Sequence, residues 1–371
     1  MPIDWNKVNR VLVVRLRSIG DTVLATPSLI ALRRFLPDAK IDILLEDWVA
    51  PVLDGFDSVD EVLIAGKSTA ERLRTIREMR KRKYDVVFNL HGGTTSTFFT
   101  FASGAPHRVG YEGYRNSFLL NHKLSSSADF WGREKTHSAE QQFALLGFVG
   151  VPVGDRPKSR LTVTDAALES LEKKLNAETQ RRKDSGWLDS TTFALAHPAA
   201  AFATKQWPTE NFARTAEFLA DKGIATVAVA AKHERTVLDN LAAESKVPII
   251  TFDDLTLPEI TALASRAKLF VGNDSGIAHI AAAVNTPTVV IFGSSNRDHW
   301  YPWTDAPNEM VFEPLPCQPC PGYECKVFGE PKCILSVTTA SVFEAIDRVL
   351  FTEQQSGSLQ PGSWASTLPT G

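Results

Sequence analysis

An acidic side chain stands in the loop that follows the strand-like segment VLVVR. The loop reads RLRSIGDTVLATP over residues 15–27, and Gly20 permits a tight turn just before Asp21. Asp is favoured at helix N-termini, so Asp21 is suited to capping the helix that begins here. The same carboxylate is suited to acting as a general base, with Arg15 and Arg17 attracting an anionic substrate. The pattern leaves both interpretations open.

A basic side chain stands in a second loop, HPAAAFATKQWP, which covers residues 197–208. Lys205 is the strong charge of that loop, and Pro208 fits the first turn of a helix. A lone lysine is usually solvated at the surface. In a binding site, the same ammonium group supplies a point charge for a diphosphate.

A third loop, VGNDSGIAHIAAA at residues 271–283, turns from a strand into a helix through small residues. Small side chains let a ligand approach the backbone, and the free N–H groups of a helix N-terminus suit phosphate oxygens. Asp274 then needs another partner, such as a hydroxyl or a backbone N–H. His279, one turn further on, is read most simply as a buried, hydrogen-bonded residue. A fourth loop, FGSSNRDHW, adds the hydroxyls of Ser294 and Ser295.

The four cysteines of the chain lie together in the pattern C-x2-C-x4-C-x7-C, at Cys317, Cys320, Cys325 and Cys333. This spacing suits a small thiolate metal site. Disulfides are disfavoured in a reducing compartment. A structural zinc and free thiols remain the two interpretations, and a catalytic metal is not indicated.

Short apolar runs and helical stretches alternate along the chain, which positions these loops. Strands are predicted at 11–15, 40–45, 61–65 and 85–89, then at 193–197, 225–230, 268–272 and 287–292. Helices are predicted at 21–36, 69–83, 95–103, 137–149, 209–222, 233–244, 257–267 and 276–284. The alternation indicates an α/β protein with parallel sheets, whose ligands bind at the carboxyl ends of the strands. The first loop lacks G-x-G-x-x-G, which disfavours a dinucleotide enzyme.

Composition narrows the class of protein. A chain of 371 residues with 43% hydrophobic and 22% charged residues fits two globular domains. The net charge of −3 disfavours nucleic acid as a partner. The start of the chain lacks an apolar signal core, and no window has the apolar length of a membrane span. We therefore expect a cytoplasmic protein.

Taken together, the motifs resemble those of glycosyltransferase family 9, the ADP-heptose:lipopolysaccharide heptosyltransferases. The resemblance covers nearly all of residues 10–350 and rests on motifs in the family's order. They are R-x-x-G-D-x-x-L-x-T-P at 17–27, R-V-G-Y at 108–111, His137, K-Q-W-P at 205–208, N-D-S-G-x-x-H at 273–279 and F-G-S at 292–294. The resemblance implies a GT-B fold, in which two Rossmann-like domains have parallel sheets that face each other across a cleft.

The expected domains follow from this fold. Residues 1–155 form an N-terminal acceptor-binding Rossmann-like domain, and residues 156–190 form a linker region with a helix that Thr164 or Asp165 caps. Residues 191–353 form a C-terminal nucleotide-sugar-binding Rossmann-like domain. Residues 354–371, rich in Ser, Gly and Pro, are predicted to be a disordered tail.

The family's reaction is inverting, metal-independent transfer of heptose from ADP-L-glycero-D-manno-heptose to the lipopolysaccharide inner core. Asp21 matches the family's general base, and a direct displacement needs such a base for the acceptor hydroxyl. Lys205 and helix N–H groups match the groups that stabilise the departing ADP. Arg15 and Arg17 are the candidate acceptor contacts.

The resemblance also implies a set of donor contacts. Glu234 matches the carboxylate that binds the ribose, and Leu255 falls where an apolar side chain contacts adenine. The nucleotide-sugar loop supplies Asp274, Ser275, Gly276 and His279, and Ser294 completes the set. The sequence departs from the family at Ala199, Ala200 and Ala201, where Gly, Ser or Thr is frequent. Alanine offers no hydroxyl to a phosphate, so we expect Thr204 and backbone N–H groups to bind the phosphate oxygens there.

Two alternatives and one further partner remain. The chain could be a family member that uses another nucleotide sugar or acceptor, or a non-catalytic nucleotide-sugar-binding protein, although Asp21 and Lys205 disfavour the latter. The lipopolysaccharide core and lipid A–Kdo are both possible acceptors.

The basic segment 71–84 is either a solvated helix face or a contact with the anionic inner leaflet, which would make the protein peripheral at the inner membrane.

Overall fold

A computed structural model of the protein describes residues 2–181, 192–320 and 322–357. The first half of the chain forms a six-stranded sheet. The strand order is β3-β2-β1-β4-β5-β6, and all neighbours are parallel. The strands are β1 (Arg10–Leu16), β2 (Lys40–Leu45), β3 (Glu61–Ile64), β4 (Val86–Asn89), β5 (His107–Tyr111) and β6 (His122–Leu124). The four predicted strands of this half are confirmed. The short, polar strands β5 and β6 are not evident from hydrophobic pattern.

Six helices accompany this sheet. They are α1 (Ile19–Val23), α2 (Thr26–Phe35), α3 (Thr69–Arg82), α4 (Thr94–Ala102), α5 (Ser127–Trp131) and α6 (Ser138–Phe148). The single helix predicted at 21–36 is wrong, because the structure divides it into α1 and α2. Pro27 explains the break: it donates no backbone hydrogen bond, and its ring clashes with the carbonyl four residues earlier, at the end of α1.

The second half repeats the architecture with a parallel sheet of order β12-β11-β10-β7-β8-β9. Its strands are β7 (Phe193–His197), β8 (Ala225–Val229), β9 (Ile249–Phe252), β10 (Leu269–Asn273), β11 (Thr288–Phe292) and β12 (Asn308–Phe312). The later helices are α7 (Asp165–Arg181), α8 (Thr209–Asp221), α9 (Arg235–Glu244), α10 (Leu257–Arg266), α11 (Gly276–Ala283), α12 (Arg297–Trp300), α13 (Lys332–Leu335) and α14 (Thr339–Gly357). Short 3₁₀ turns cover Trp5–Lys7, Ala50–Leu53, Ser117–Leu119, Ala203–Lys205 and Lys232–Glu234. The prediction of an α/β protein with two parallel sheets is confirmed.

Central strands of both sheets are buried on both faces, as their unbroken apolar sequences require. In β10 and β11 every residue is buried, and in β1 only the first is partly exposed. One buried apolar cluster includes residues from both halves, among them Val23 and Leu24 near α1 and Ile277 and Ile280 of α11. The two halves therefore share part of their core.

Helix α7, in the predicted linker region, packs on the second half. The Thr164 hydroxyl accepts a hydrogen bond from the N–H of Ala167 at 3.2 Å, which caps its first turn. Ser170 donates to Glu259 of α10 at 2.7 Å, and the Lys174 ammonium group lies 3.0 Å from the same carboxylate. Residues 182–190 of the predicted linker lie outside the described residues.

The C-terminal helix extends further than the sequence indicated. Helix α14 continues through residues 354–357, which were assigned to the disordered tail. The segment FTEQQS has no proline and contains good helix formers, so the helix has no local reason to stop earlier. The rest of that tail, 358–371, lies outside the described residues. Within the described parts of the chain, no helix is both long enough and apolar enough to cross a membrane.

The two halves approach each other tightly between α1 and α11, at a pair of glycines. A Cβ atom on Gly276 would lie 2.8 Å from the Cβ atom of Ile19 and 3.2 Å from the backbone nitrogen of Gly20. A Cβ atom on Gly20 would lie 2.7 Å from Cδ2 of His279. On each helix the shortest distance is too short for a real side chain, so this contact requires glycine at both positions. It brings the loop after β1 against the loop after β10.

Candidate active site

A cavity of about 770 Å³ lies between the halves, at the carboxyl ends of the strands. We call it the central cavity. Its walls come mainly from the loop after β1 in the first half and from the loops after β7, β8, β9 and β10 in the second, with Trp48 and Trp300 completing them. Eight of the residues predicted for catalysis or donor binding line it: Asp21, Lys205, Glu234, Leu255, Asp274, Ser275, Gly276 and His279.

Lys205 and Asp274 form an ion pair on the wall of the central cavity. The Lys205 Nζ atom lies 2.8 Å from Oδ2 of Asp274, and the Ser295 hydroxyl donates to the same oxygen. This pairing explains how a carboxylate can stand beside an anion site. An ammonium group has three N–H donors, and this contact uses one. The other two are available to a ligand.

The N-terminus of α11 is the second anion-binding feature of this wall. Ser275 occupies the N-cap position, but its side chain does not cap the helix. Its hydroxyl instead hydrogen-bonds Nδ1 of His197, at 3.1 Å. The first N–H groups of α11 consequently receive no cap from Ser275. Such groups, with the positive end of the helix dipole, favour phosphate oxygens.

His279 lies one turn into α11 and is buried beside Gly20. Burial lowers the pKa of its imidazole, although Asp274 and Asp21 oppose this effect. The ring is therefore neutral at neutral pH. Its Nδ1 atom is buried and has no hydrogen-bond partner among the described residues. This differs from the simple expectation of a satisfied core histidine.

Glu234 and Leu255 lie after β8 and β9 and are both half-buried. The Glu234 side chain accepts a hydrogen bond from the N–H of Ala231 at 2.9 Å. Leu255 packs against the main apolar cluster. The pair thus offers one carboxylate and one apolar surface at the same end of the central cavity.

Asp21 lies in the first turn of α1, where the sequence suggested either a cap or a base. Helix α1 begins after Ser18, whose hydroxyl donates to Oδ2 of Asp21 at 3.1 Å and whose N–H lies 3.4 Å from the same oxygen. This is a capping box, with Ser18 as the cap and Asp21 at the third helical position. The other oxygen, Oδ1, forms an ion pair with the buried guanidinium group of Arg15. The Asp21 side chain nevertheless remains 21% exposed.

A second cavity, of about 300 Å³, lies on the other side of Asp21. We call it the side chamber. Asp21 and Trp300 line both the side chamber and the central cavity. Arg15 lines the side chamber, where it also donates to the carbonyl of Leu90. A single carboxylate thus borders two compartments.

Three predicted residues lie outside these two cavities. Thr204 and Ser294 are buried and hydrogen-bonded to each other at 3.0 Å, and both line a different cavity beside the cysteines. Arg17 is exposed, with Nε 3.7 Å from a carboxylate oxygen of Glu46. Their contacts with substrates stay predictions.

The four cysteines line one cavity of about 160 Å³, and none of the four is in a disulfide. Burial, together with the neighbouring thiols, raises the pKa of Cys333. Among the described residues, however, no group of three or more His, Cys, Asp or Glu side chains is placed to hold a metal ion. The thiols gather as the spacing predicted, but their side chains do not form a ligand set. The structural zinc stays a prediction.

Sequence reasoning missed the polar residues of the side chamber. His91 lies two residues after the end of β4, so the rule that ligands bind at strand ends could have found it. Gln142 lies within α6 and carries no such signal. His299 and Trp300 belong to the short helix α12, which no apolar pattern marks.

His137 connects the two halves next to the side chamber. Its Nδ1 atom accepts a hydrogen bond from the N–H of Ala139 at 3.1 Å and caps α6. Its Nε2 atom donates to the carbonyl of Tyr301 at 2.8 Å, and the ring stacks on Trp303 with centroids 4.7 Å apart. The two hydrogen bonds together require the neutral ring, and burial lowers the pKa of His137 to about 3.

The comparisons with known proteins agree with this architecture. A family profile described as "Glycosyltransferase family 9 (heptosyltransferase)" matches residues 72–329. The chain belongs to glycosyltransferase family 9. It is 27% identical over 318 residues to lipopolysaccharide heptosyltransferase 3 of Escherichia coli, covering 80% of this chain and 86% of that protein. The family resemblance seen in the motifs is confirmed, and the protein is a glycosyltransferase.

Solved structures of family 9 members show the same fold. The glycosyl transferase family 9 protein of Veillonella parvula DSM 2008 superposes with a TM-score of 0.77 at 18% identity, covering 93% of this chain and 97% of that one. The E. coli ADP-heptose lipopolysaccharide heptosyltransferase II gives 0.75 at 21% identity, covering 93% and 99%. The prediction of a GT-B fold is confirmed.

The depressed pKa of His137 predicts how the stability of this family 9 protein depends on pH. Below about pH 6.5, the unfolded chain takes up a proton on this histidine while the folded protein does not. The free energy of unfolding therefore decreases as the pH is lowered. One such group contributes about 1.4 kcal/mol per pH unit between the two pKa values. In His137→Gln, we expect urea unfolding measured from about pH 7.5 to about pH 5 to lose that part of the slope.

The control for this experiment is His233→Gln, which changes an exposed histidine. Equal slopes in the wild type and in His137→Gln would contradict the assignment. A lower stability at every pH with an unchanged slope would mean that His137 stabilises the fold only through packing.

Proposed function

We propose that this protein transfers heptose, with inversion, from ADP-L-glycero-D-manno-heptose to a hydroxyl of the lipopolysaccharide inner core. The observation that carries the proposal is the position of Asp21, which borders a cavity suited to a diphosphate on one side and the side chamber on the other. The names of the similar E. coli proteins, lipopolysaccharide heptosyltransferase 3 and ADP-heptose lipopolysaccharide heptosyltransferase II, support this donor and acceptor.

The second half supplies the groups that a nucleotide diphosphate needs. Lys205 and the N–H groups at the start of α11 meet the negative charge that develops on the departing ADP. Glu234 and Leu255 line the same cavity, where the carboxylate would bind the ribose hydroxyls and the apolar side chain would contact adenine. These groups can stabilise the leaving group, so we propose that the chemical step uses no metal ion.

The first half supplies the base. In the proposed step, the acceptor hydroxyl transfers its proton to Asp21 as its oxygen attacks the anomeric carbon. The bond from that carbon to the diphosphate oxygen breaks, and ADP leaves with the electron pair. Attack from the face opposite the leaving group inverts the configuration. Arg15 and Ser18 hold the carboxylate in place for this transfer.

Asp21→Asn should reduce kcat by roughly 10²–10⁴-fold, because the amide keeps the shape of the side chain but cannot accept the proton. ADP affinity should change little, since Asp21 is not a phosphate contact. The measurements are ADP release with a core acceptor and calorimetric ADP binding.

Glu71→Gln is the matched control, because Glu71 holds the same capping-box position on α3 and lines neither cavity. If Glu71→Gln lowered kcat as much as Asp21→Asn, the loss of a capping box would explain the effect of Asp21. Near-normal turnover in Asp21→Asn would exclude the role of base.

Lys205→Ala should weaken ADP binding, because it removes the ammonium group from the anion site and leaves Asp274 there without its partner. Binding of ADP to the wild type should also weaken as salt is added. Calorimetry of the variant and of Lys222→Ala, a lysine paired with Asp347 away from the cavity, tests this. Equal ADP affinity in the wild type and in Lys205→Ala would remove the assignment.

We also propose that the protein is cytoplasmic and attaches weakly to the anionic inner leaflet. Helix α3 carries much of the basic segment 71–84, but not all of it is free. Arg82 binds Asp42, Glu61 and Glu78, and Arg80 donates to the carbonyl of Ala102. Arg74, Arg77 and Lys81 are exposed and would supply the attraction.

Changing Arg74, Arg77 and Lys81 together to Gln should weaken binding to anionic liposomes. Each basic group near such a surface contributes about 1 kcal/mol, so the loss should be large at low salt and small at high salt. Co-sedimentation measures it, with Lys173, Lys246 and Lys332 changed to Gln in the second half as the control. Equal binding of the two variants, or equal binding to neutral liposomes, would show that α3 is a solvated face.

A further inference from the structure

The side chamber is built largely from one face of α6. The helix lines the chamber with residues that are three or four positions apart and therefore share one face, namely Ser138, Gln141, Gln142 and Leu145. His91 contributes from the loop after β4, Tyr111 from the end of β5 and Tyr114 from the loop that follows it, and α12 closes the remaining side. The chamber therefore has rigid walls, and it opens on Asp21.

The charges of the side chamber cancel. Of the described residues that line it, Arg15 and Asp21 alone are ionised at neutral pH, and they form an ion pair. The Arg15 guanidinium also donates to the carbonyls of Leu90 and of Asp21, the latter at 3.2 Å. Burial lowers the pKa values of His91 and His299, so both rings are neutral. An anionic ligand would find no free cation among these lining residues.

Two polar side chains in the chamber have unused hydrogen-bonding atoms. Gln142 is 4% exposed, and neither its amide nitrogen nor its amide oxygen has a partner among the described residues. The buried Nδ1 atom of His91 also lacks one within the same part of the chain. A buried polar group left without a partner destabilises the fold, so such groups are rare in folded proteins and call for an explanation. A ligand in the chamber would provide the missing partners.

The chemistry of these groups selects the ligand. An amide and a neutral imidazole each offer both a donor and an acceptor, which matches hydroxyl groups. A carboxylate or a phosphate only accepts, and burying its charge without a counter-ion is costly. We infer that the side chamber binds the acceptor ring that carries the attacking hydroxyl as a neutral, hydroxyl-rich sugar, and that Gln142 determines this specificity. The inference rests on the proposed function, because it takes Asp21 as the base.

The inference changes the role predicted for the arginines of the first loop. Arg15 positions Asp21 and does not bind an anion of the acceptor. Acidic groups of the acceptor must then lie outside the chamber. Arg17 is exposed there, with its Nε atom 3.7 Å from a carboxylate oxygen of Glu46, and is the candidate contact for them. A heptose-type ring fits the chamber's chemistry, and the carboxylated ring of a Kdo residue does not.

The first test is kinetic and uses Gln142→Met, which keeps nearly the same volume and removes the amide. Each neutral hydrogen bond contributes about 0.5–1.5 kcal/mol, so losing one or two should raise the acceptor KM by roughly tenfold. ADP affinity should not change. Leu146→Met is the matched control, because Leu146 is buried on the same helix but does not line the chamber. An unchanged acceptor KM in Gln142→Met, or an equal rise in Leu146→Met, would overturn the role of Gln142.

The second test measures binding without turnover. Saturation-transfer NMR on the protein with bound ADP would compare methyl mannoside, a neutral probe, with the methyl glycoside of Kdo, a carboxylated one. We expect the neutral probe to bind better to the wild type and to lose this advantage in Gln142→Met. Preference for the carboxylated probe, equal binding in the variant, or no binding of either probe would overturn the inference.

The two tests also separate this inference from the proposed function. If the wild type binds the neutral probe but transfers no heptose from ADP-heptose, the donor assignment fails and the chamber assignment stands. If the wild type transfers heptose but prefers the carboxylated probe, the chamber assignment fails and the donor assignment stands.

Discussion

The contact between α1 and α11 is the constraint on which the site depends. Only glycine at positions 20 and 276 lets the two helices approach this closely, because a Cβ atom on either would meet its neighbour within 3 Å. The contact brings Asp21, next to Gly20, close to the loop after β10 in the second half. Asp21 and the ion pair at Lys205 line the same cavity there, and Asp21 also lines the side chamber. In the proposed function, the base would lie on one half and the leaving-group contacts on the other.

Electrostatic pairing explains why these charged groups can be assembled before any substrate arrives. Asp21 is balanced by Arg15, and Asp274 by Lys205. Each pair is partly buried, so removing one partner would leave an uncompensated charge in a poorly solvated place. The pairs differ in their exposure. The Lys205 side chain is 23% exposed, whereas the Arg15 side chain is 8% exposed and directs N–H donors to Asp21 and to the carbonyl of Leu90. In the proposed function, the first pair would bind the diphosphate and the second would hold the base in place.

A strand or a site residue could be predicted from the sequence only where it leaves a recognisable pattern of residues. Fully buried parallel strands leave unbroken apolar runs, so β1, β2, β7 and β11 were found almost residue by residue. Charged residues at strand ends are also visible, which is why Asp21 and Lys205 could be proposed before the fold was known. Polar edge strands such as β6 leave no such signal. Thr204 and Ser294 carry the right chemistry, but their hydroxyls turn to each other, and no motif shows this.

Gln142 illustrates the remaining limit. In sequence it is one more polar residue in a helix, and only the packing of α6 against the other half makes it a buried amide without a partner among the described residues. The same packing divides the substrate-binding space into two compartments with different chemistry. A cation and a helix N-terminus make the central cavity suitable for a diphosphate, while the neutral side chamber disfavours any anion. In the proposed function, the nucleotide sugar and the acceptor ring would therefore occupy different compartments, with Asp21 at the border between them.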